Sequence, residues 1–477
     1  MKILLINPPY TNFEGIKESG GHSMPLNLAY LAAYLRERIK CEIVILDAEV
    51  RGLGYDQIKQ IVCAKNPDLV GITCPTPTMN HVLKITQIIK TEIDNKIITV
   101  VGGIHPTVFP KETIQNPYID FLVAGEGEIT FYELVDAILK KPNNFSEIKG
   151  LFYKRENKII ANQARPLIAN LDMIPFPARD LFDLDLYYPA VTKRVAKGRA
   201  GAILTSRGCA FFCAHCISQK MWGRNVRFRS TNNVITEIEE CITKYKFREL
   251  NVWDDTFTLN QKRAAEICDL IISKKINLAW LAMSRANTLS ESLVVKMKLA
   301  GCKQISFGLE SGSQKILDLM KKNATLEMGR NAVNIVSRNE LITHSSFMLG
   351  NIGETEETIK ETIAYAKSLP LDNATFFITS PYPGTALYDV AINEGFISKN
   401  TKWEEFAPLT NAPPILVQRN VPADKLIYWQ KRGFREFYFR PSLIWRKIKH
   451  INSIEFIKVL LEGVRILFRI LGKKTQT

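Results

Sequence analysis

The feature that most constrains the fold of this chain is a regular alternation of short apolar runs with helical patterns. Five apolar runs fall within the first 140 residues, namely KILLINPP, CEIVILDAE, LVGITC, KIITVVGG and DFLVAGEG, and helical patterns such as PLNLAYLAAYLRERI separate them. Parallel neighbouring strands need crossover helices, so this alternation predicts a doubly wound, flavodoxin-like α/β domain. We assign residues 1–142 to it.

A second alternation begins at Gly201. Its apolar runs are GAILTS, ELNVWDD, NLAWLAM, QISFGLE, THSSFML and NATFFITS, again with helical patterns between them. Six such units form either an open sheet or a partial barrel, and the hydrophobic period alone does not decide between these. We assign residues 199–400 to this domain, residues 143–198 to a connection without a sustained pattern, and residues 401–477 to a basic helical C-terminal region.

Polar, glycine and proline residues follow the strands of the first domain. They occur at Asn7–Pro9, Thr73–Thr78, Gly102–Thr107 and Gly125–Glu128. Ligands of open parallel sheets bind beyond the carboxyl ends of the strands. The sequence therefore predicts a ligand site at this edge.

Cysteine usage points to a reducing compartment. The nine cysteines are an odd number with scattered spacing, which does not resemble a disulfide framework. The opening residues MKILLINPPY lack the basic region and the small-residue cleavage site of a signal peptide. We therefore expect a cytoplasmic protein.

Three of the cysteines lie close together in CAFFCAHC, at Cys209, Cys213 and Cys216. A structural zinc site usually has four protein ligands in two pairs, and a fourth ligand from the neighbouring His215 would have to converge on the same ion as Cys216. Three thiolates on a short loop suit three corners of a cubane iron–sulfur cluster and leave one iron open for reaction. A zinc-stabilised, basic binding protein without catalysis is the alternative.

The C-x3-C-x2-C spacing after a predicted strand, with an aromatic ring before the last cysteine, resembles the signature of radical S-adenosylmethionine enzymes. This resemblance implies a [4Fe-4S] cluster on the three cysteines, with S-adenosylmethionine chelated to the open iron. It also implies an electron donor such as flavodoxin or ferredoxin, whose electron cleaves S-adenosylmethionine to a 5′-deoxyadenosyl radical. The fold that it implies is a partial (β/α)6 barrel.

Further segments in the same order are similar to secondary motifs of this family. VWDDTFT, GLESGS and FMLGNIGETEE follow three of the predicted barrel strands. The resemblance implies S-adenosylmethionine contacts at His215, Asp254, Asp255, Glu310, Ser311 and Gly350.

An N-terminal doubly wound domain joined to such a barrel resembles the cobalamin-binding subgroup of the family. GGIHPT and VAGEGE are typical of its cobalamin domain. The resemblance implies cobalamin contacts at Thr73, Gly102, Gly103, His105, Gly125 and Glu126. NPPYTNFEG stands where related domains carry a cobalt-ligating histidine motif, so we expect cobalamin without a histidine lower ligand. A degenerate domain that has lost cobalamin and only packs on the barrel is the alternative.

The subgroup resemblance implies an enzyme that methylates an unactivated carbon of an unidentified small-molecule substrate. An oxidative cyclase or a rearrangement enzyme with the same cofactors is the alternative. Methylthiotransferases need a second cysteine triplet, and Cys41, Cys63 and Cys74 are too dispersed to form one.

The C-terminal region carries most of the excess positive charge of a chain whose formal net charge is +15. Its last helical pattern, SIEFIKVLLEGVRILFRIL, places apolar and charged residues on opposite faces. This helix either packs on the barrel or lies on an anionic bilayer surface, as a peripheral membrane contact that would suit a lipid-like substrate. No recognised nucleic-acid-binding module accompanies the charge, so we expect no nucleic-acid partner.

Overall fold

The architecture described here is that of a computed structural model. It describes residues 1–10, 21–140, 144–398, 400–406, 414–416, 420–449 and 454–472, without the side chains of residues 448, 449 and 454–460.

The first domain is a mixed seven-stranded sheet with helices on both faces. Its strands are β1 (Lys2–Asn7), β3 (Glu42–Asp47), β4 (Leu69–Thr73), β5 (Ile98–Gly102), β6 (Phe121–Val123), β7 (Leu151–Arg155) and β8 (Lys158–Ala161), and the short β2 (Gly21–His22) pairs outside this sheet with β9 (Tyr188–Pro189). Its helices are α1 (Leu26–Arg36), α2 (Tyr55–Lys65), α3 (Met79–Ile88), α4 (Ile104–Val108), α5 (Pro110–Gln115) and α6 (Gly127–Lys140).

The strand order of this sheet is β3-β1-β4-β5-β6-β7-β8, and the first five strands are parallel. The central strand β4 is buried along its whole length, as expected where helices cover both faces of a parallel sheet. The predicted doubly wound sheet is confirmed.

The last two strands of the first sheet lie inside the segment that the sequence predicts to be a connection. β7 pairs antiparallel with β6, and β8 pairs antiparallel with β7. Glu156 and Asn157, which join them, have φ of 51° and 59°, the left-handed conformation of a tight hairpin turn. The strands are only five and four residues long, so their sequence carries little periodicity.

The second domain is a six-stranded parallel sheet in the order β10-β13-β14-β15-β16-β17. Its strands are β10 (Ala200–Ile203), β13 (Glu249–Val252), β14 (Ala279–Ser284), β15 (Cys302–Glu310), β16 (Ile342–Leu349) and β17 (Asn373–Ile378), and β11 (Ser206–Arg207) pairs with β12 (Arg227–Phe228) beside it. Its helices are α7 (Ser218–Trp222), α8 (Thr231–Thr243), α9 (Gln261–Ser273), α10 (Glu291–Leu299), α11 (Gln314–Leu319), α12 (Leu326–Arg338), α13 (Glu356–Ser368) and α14 (Ala386–Asn393). The predicted partial barrel is confirmed.

The strands of the barrel divide their residues between two environments. On β15, Ile305, Phe307 and Leu309 belong to the hydrophobic core that the surrounding helices cover. The alternate residues Gln304 and Ser306 are buried and polar, and the Nε2 of Gln304 donates to the Oγ of Ser306 over 3.1 Å. Since successive side chains of a strand point to opposite faces, the barrel has an apolar outer layer and a polar interior.

The C-terminal region consists of helices α15 (Ala423–Tyr438), α16 (Pro441–Lys449) and α17 (Ile454–Gly472). On α17, Leu467 and Ile470 pack against the barrel core, whereas Leu461 and Phe468 are exposed. The helix is thus apolar on two sides. The apolar positions Ile454 and Ile457 lie outside the described side chains. Among the helices that the structure describes, none is long and apolar enough to cross a membrane.

Candidate active site

A cavity of about 140 Å³ opens at the carboxyl ends of β4, β5 and β6. Five of the six predicted cobalamin contacts line it, namely Thr73, Gly102, Gly103, Gly125 and Glu126. Its apolar part is formed by first-domain residues that include Leu5, Val100 and Phe131. The barrel contributes Leu204, Arg207, Met221 and Trp222 to the same wall. The cavity therefore lies between the two domains, at the sheet edge that the sequence predicts.

Two glycines of this wall have backbone conformations that other residues rarely adopt. Gly103 has φ +111°, and a Cβ atom there would lie 3.0 Å from the backbone nitrogen of Cys74. Gly125 has φ +78°, with open space where its side chain would stand. Both glycines keep the backbone close to whatever occupies the cavity.

The lining of the cavity suits cobalamin. Ligand sites of this kind combine an apolar lining with a few polar groups. Here the polar groups include Thr73, whose Oγ1 accepts a hydrogen bond of 2.7 Å from the Nδ2 of Asn27. Asn27 also lines the cavity. The residues present therefore fit the cofactor that the family resemblance implies.

His105 does not line this cavity. Its ring is buried against Trp403 and Phe109, at centroid distances of 4.9 and 5.5 Å. Its Nδ1 lies 3.3 Å from the Oγ1 of Thr76, and no described group bonds its buried Nε2. Burial lowers the pKa of His105 to about 4, so the imidazole is neutral at pH 7. A cobalamin contact from His105 stays a prediction.

Glu126 lines the cavity, but its carboxylate is already bound by other residues. Its Oε1 accepts from the Nη1 of Arg207 over 2.8 Å, and its Oε2 accepts from the Nη1 of Arg227 over 2.7 Å. The backbone N–H of Ile168 also donates to Oε2, over 2.7 Å. Glu126 thus joins the first domain to the barrel. A cofactor in the cavity would contact a carboxylate whose charge Arg207 and Arg227 already compensate.

The three cysteines lie on the loop between β11 and α7. Cys213 is buried and Cys216 is exposed, with Cys209 between these extremes. The backbone of Ala214 fixes the loop, because its N–H donates to the carbonyl of Met320 over 2.9 Å and its carbonyl accepts from the N–H of Leu387 over 2.8 Å. The loop is therefore attached to the segments that follow β15 and β17.

The electrostatics of this loop suit a bound cation. Burial raises the pKa of the Cys209 thiol, and the nearby Asp255 carboxylate and Cys213 sulfur raise it further. Ionisation of the Cys209 thiol therefore needs compensating positive charge, of which the nearby Arg285 supplies a part. No three His, Cys, Asp or Glu side chains in the described part of the chain are grouped around a single ion position. In a cubane cluster each thiolate binds a different iron, so the three sulfurs need not converge on one point.

Glu310 and Lys322 form a buried ion pair beside the cysteine loop. The Nζ of Lys322 lies 3.1 Å from the Oε1 of Glu310, and the charge of Glu310 also acts on the ring of His215. The buried Nδ1 of His215 has no described partner. Glu310 has φ +66°, a conformation that non-glycine residues adopt at a cost of about 1–3 kcal/mol. A Cβ at Gly308 would lie 2.1 Å from the Glu310 Oε1, so this glycine makes room for the pair.

The two predicted aspartates occupy different environments. Asp254 is buried and accepts four hydrogen bonds of 2.5 to 3.1 Å, from the backbone N–H and side-chain hydroxyl groups of Thr205 and Ser206. Asp255 accepts from the Oγ of Ser218, two residues after the last cysteine. Asp254 therefore stabilises the turn between β10 and β11, whereas Asp255 stands beside the cysteine loop.

Ser311 and Gly350 are both at strand ends of the barrel. The buried Oγ of Ser311 lies 3.1 Å from the Oγ1 of Thr362. Gly350 has φ +88°, and its N–H donates to the buried carboxylate of Glu354. The structure thus places both predicted residues at the carboxyl edge, with Ser311 already bonded inside the fold. All six predicted S-adenosylmethionine contacts stay predictions.

Two basic residues at this site were not found from the sequence. The Nη1 of Arg285 donates to the Sγ of Cys213 over 3.1 Å, and its guanidinium lies 3.7 Å from the ring centroid of Phe211. Arg285 and Lys322 also line a small cavity together with Ser311. Arg285 directly follows β14, and this position at the carboxyl end of a strand could have identified it as a site residue from the sequence.

Comparisons with known proteins match both domains of the chain. The model of the B12 binding domain matches residues 15–135, and that of the radical SAM superfamily matches residues 203–366. An uncharacterized methyltransferase of Pyrococcus horikoshii is 36% identical over 472 residues, which is 98% of each chain. The anaerobic magnesium-protoporphyrin IX monomethyl ester cyclase of Rubrivivax gelatinosus is 31% identical over 93% of this chain and 78% of its own length.

Two solved structures have a similar fold. The radical S-adenosylmethionine methyltransferase TsrM from Kitasatospora setae, with cobalamin and a [4Fe-4S] cluster bound, superposes with a TM-score of 0.67 at 20% identity, over 82% of this chain and 75% of that protein. The cobalamin-dependent S-adenosylmethionine radical enzyme OxsB superposes with a TM-score of 0.65 at 19% identity, over 91% of this chain and 61% of that protein. At this identity the likeness shows the fold.

Proposed function

This chain belongs to the radical SAM superfamily and carries a B12 binding domain, and from this membership we propose that it methylates an unactivated carbon of a small molecule. One observation carries the proposal. The cavity that fits cobalamin includes Arg207 and Trp222, which flank the cysteine loop on its two sides. A methyl-carrying cofactor in the cavity would therefore contact the two residues that precede and follow the cysteine loop in the chain.

The chain offers residues for each group. Cys209, Cys213 and Cys216 would hold a [4Fe-4S] cluster, and the cavity at the ends of β4–β6 would hold cobalamin. Bound there, the cluster supplies the electron that cleaves S-adenosylmethionine, and cobalamin supplies the methyl group that the substrate carbon receives. S-adenosylmethionine carries both a carboxylate and an ammonium group. Charged side chains of both signs beside the cysteine loop support a place for it between the cluster and cobalamin.

The charged side chains beside the cysteine loop match these two groups. Arg285 and Lys322 are buried cations beside the cysteine loop, and their positive charges would attract the carboxylate of a molecule bound at the cluster. Asp255 stands beside the loop and offers a carboxylate to an ammonium group. The ring of Phe211 covers the guanidinium of Arg285, which keeps water from that charge and strengthens its interaction with an anion.

Radical cyclisation is the second candidate, and the cyclase relative of Rubrivivax gelatinosus favours it. Both reactions need the same cofactors and begin with removal of a hydrogen atom from the substrate. They differ in the fate of the methyl group of S-adenosylmethionine. The experiment must therefore follow this group, and it need not await the substrate.

We propose to reconstitute the protein without oxygen using iron, sulfide and hydroxocobalamin, and to add dithionite and S-adenosylmethionine with a CD3 group. For a methyltransferase we expect S-adenosylhomocysteine and a CD3 group recovered on cobalamin, both measured by mass spectrometry. Formation of 5′-deoxyadenosine without either product contradicts methyl transfer and favours cyclisation.

The matched control replaces all three cluster cysteines by alanine. We expect this variant to lose its iron and to form no 5′-deoxyadenosine, while it still binds hydroxocobalamin. A variant that instead retained four irons per chain would contradict the assignment of the cluster ligands, and a zinc ion in the unaltered protein purified without oxygen would contradict the iron–sulfur proposal.

The partners that we propose are a small-molecule substrate, lipid-like if the C-terminal region contacts a membrane, and an electron donor such as flavodoxin or ferredoxin. Exposed Leu461 and Phe468 on α17, together with the basic C-terminal charge, support a peripheral membrane contact of a cytoplasmic protein. Cosedimentation with vesicles containing an anionic lipid, compared with neutral vesicles, tests this contact.

A further inference from the structure

A buried ion-pair network connects the wall of the large cavity to the cysteine loop. The Nη1 of Arg207 donates to the Oε1 of Glu126 over 2.8 Å, and its Nη2 donates to the Oε1 of Glu128 over 2.6 Å. The side chains of all three residues are at most 7% exposed. Arg207 is in the barrel domain, and both glutamates are in the first domain, so the guanidinium joins the two.

The same guanidinium lies between two aromatic rings. Its central carbon is 5.4 Å from the ring centroid of Tyr30 on α1 and 5.0 Å from that of Trp222 on α7. Tyr30, Trp222, Arg207 and the two glutamates all line the cavity. Arg207 is therefore part of the surface that an occupant of the cavity would face.

Arg207 and Trp222 bracket the cysteine loop along the chain. Arg207 ends β11 and is followed by Gly208, whose φ of +107° begins the loop. Trp222 is the last residue of α7, the helix that the loop enters. A shift of the cavity wall at these two residues would move both ends of the loop that carries the cysteines.

Arg227 completes the network. Its Nη1 lies 2.7 Å from the Oε2 of Glu126, and it stands opposite Arg207 in the two-stranded ribbon of β11 and β12. Two guanidinium groups thus face two carboxylates away from water. Such groups keep their geometry only while every partner is present, because an unpaired buried charge is costly.

We propose that Arg207 is a positioning residue that couples occupation of the cavity to the geometry of the cysteine loop. This inference rests on the proposed function, which places cobalamin in the cavity. By the reciprocity of linked binding, cobalamin then changes the affinity of the loop for the cluster, and the cluster changes the affinity for cobalamin by the same factor.

The test compares the electron paramagnetic resonance spectrum of the reduced cluster before and after hydroxocobalamin is added, and measures cobalamin affinity with and without the cluster. For the unaltered protein we expect a cobalamin-dependent change of the spectrum and at least a tenfold difference in affinity. Arg207→Lys keeps the charge but cannot bridge two carboxylates, so we expect the spectral change to vanish and the affinity difference to fall below threefold.

Two further variants keep this test decisive. Glu128→Gln removes one carboxylate of the network with little change of shape, and we expect the same loss of coupling even if Arg207→Lys does not fold. Glu133→Gln is the control, because Glu133 lies on the same helix α6 but pairs with Arg165, and neither residue lines the cavity. We expect this variant to retain the full coupling between cobalamin and the cluster.

Retention of the unaltered response by Arg207→Lys or by Glu128→Gln would overturn the inference. An unaltered protein that binds cobalamin and the cluster independently would also overturn it, although the proposed function would stand. Failure of the unaltered protein to bind cobalamin would overturn both.

Discussion

The Glu354 carboxyl should make the stability of the barrel fall as the pH rises towards neutrality. This side chain is fully buried in the turn after β16, and burial raises its pKa from 4.5 to about 7. Its Oε2 accepts from the backbone N–H groups of Gly350 and Asn351, whereas no described group bonds its Oε1. These two hydrogen bonds favour the charged form but do not outweigh the burial.

The magnitude follows from the difference between the folded and unfolded states. The folded-state pKa is the higher one, so between about pH 4.5 and 7 the folded protein holds the proton of Glu354 more strongly than the unfolded chain does. The free energy of unfolding therefore falls as the pH rises through this window and stays lower above it. Since one pKa unit corresponds to about 1.36 kcal/mol, the loss is about 3 kcal/mol.

Glu354→Gln removes the titrating group and keeps an oxygen that accepts from both N–H groups. Any cost of the buried amide is the same at both pH values and cancels in the comparison. We expect the free energy of unfolding of the variant to rise by about 2.5 kcal/mol relative to that of the unaltered protein on going from pH 5 to pH 8. Urea unfolding of both proteins at these pH values, followed by circular dichroism without oxygen, measures this difference.

Glu361→Gln is the matched control, because Glu361 is an exposed glutamate on the following helix α13. We expect it to follow the pH dependence of the unaltered protein. If Glu354→Gln also followed it to within about 1 kcal/mol, the reasoning that burial holds this carboxyl protonated near neutral pH would be refuted.

Two further substitutions test other parts of the structure. Glu237 is buried between Arg179 and Arg229, so Glu237→Ala should leave two buried cations unpaired and lower the free energy of unfolding by about 3–5 kcal/mol in a urea titration. The control Glu239→Ala on the same helix removes only an exposed ion pair and should cost less than about 1 kcal/mol. Gly102 lines the cavity, and a Cβ atom there would lie 3.4 Å from its nearest protein neighbour, so the fold accepts a side chain that narrows the cavity. Gly102→Val should therefore weaken cobalamin binding at least tenfold, or by about 1.4 kcal/mol, without loss of iron. Equal cobalamin affinity of this variant and the unaltered protein would place the cofactor elsewhere.

Most of the fold was predictable because it depends on local patterns. Buried parallel strands such as β4 are continuous apolar runs, and the helices between them repeat their apolar residues every three or four positions. The hairpin of β7 and β8 was not predicted, since two short strands joined by a turn at Glu156 and Asn157 have no period of their own.

The candidate site was predictable in part. Cys209, Cys213 and Cys216 stand close together along the chain, so their grouping needs no tertiary information. Asp254 and Asp255 are adjacent in sequence and equally acidic, yet only the fold decides that Asp254 stabilises the turn between β10 and β11 while Asp255 stands beside the cysteine loop.

The sequence by itself determined the order of strands and helices, the cysteine triplet and the edge of the sheet at which the cavity opens, because each of these follows from residues that are near one another in the chain. Only the tertiary structure decided that Glu126 pairs with Arg207, which is 81 residues away, and that Arg207 and Trp222, on either side of the cysteine loop in the chain, line the cavity. Such contacts depend on how two separately patterned domains pack together, and backbone periodicity carries no information about that packing.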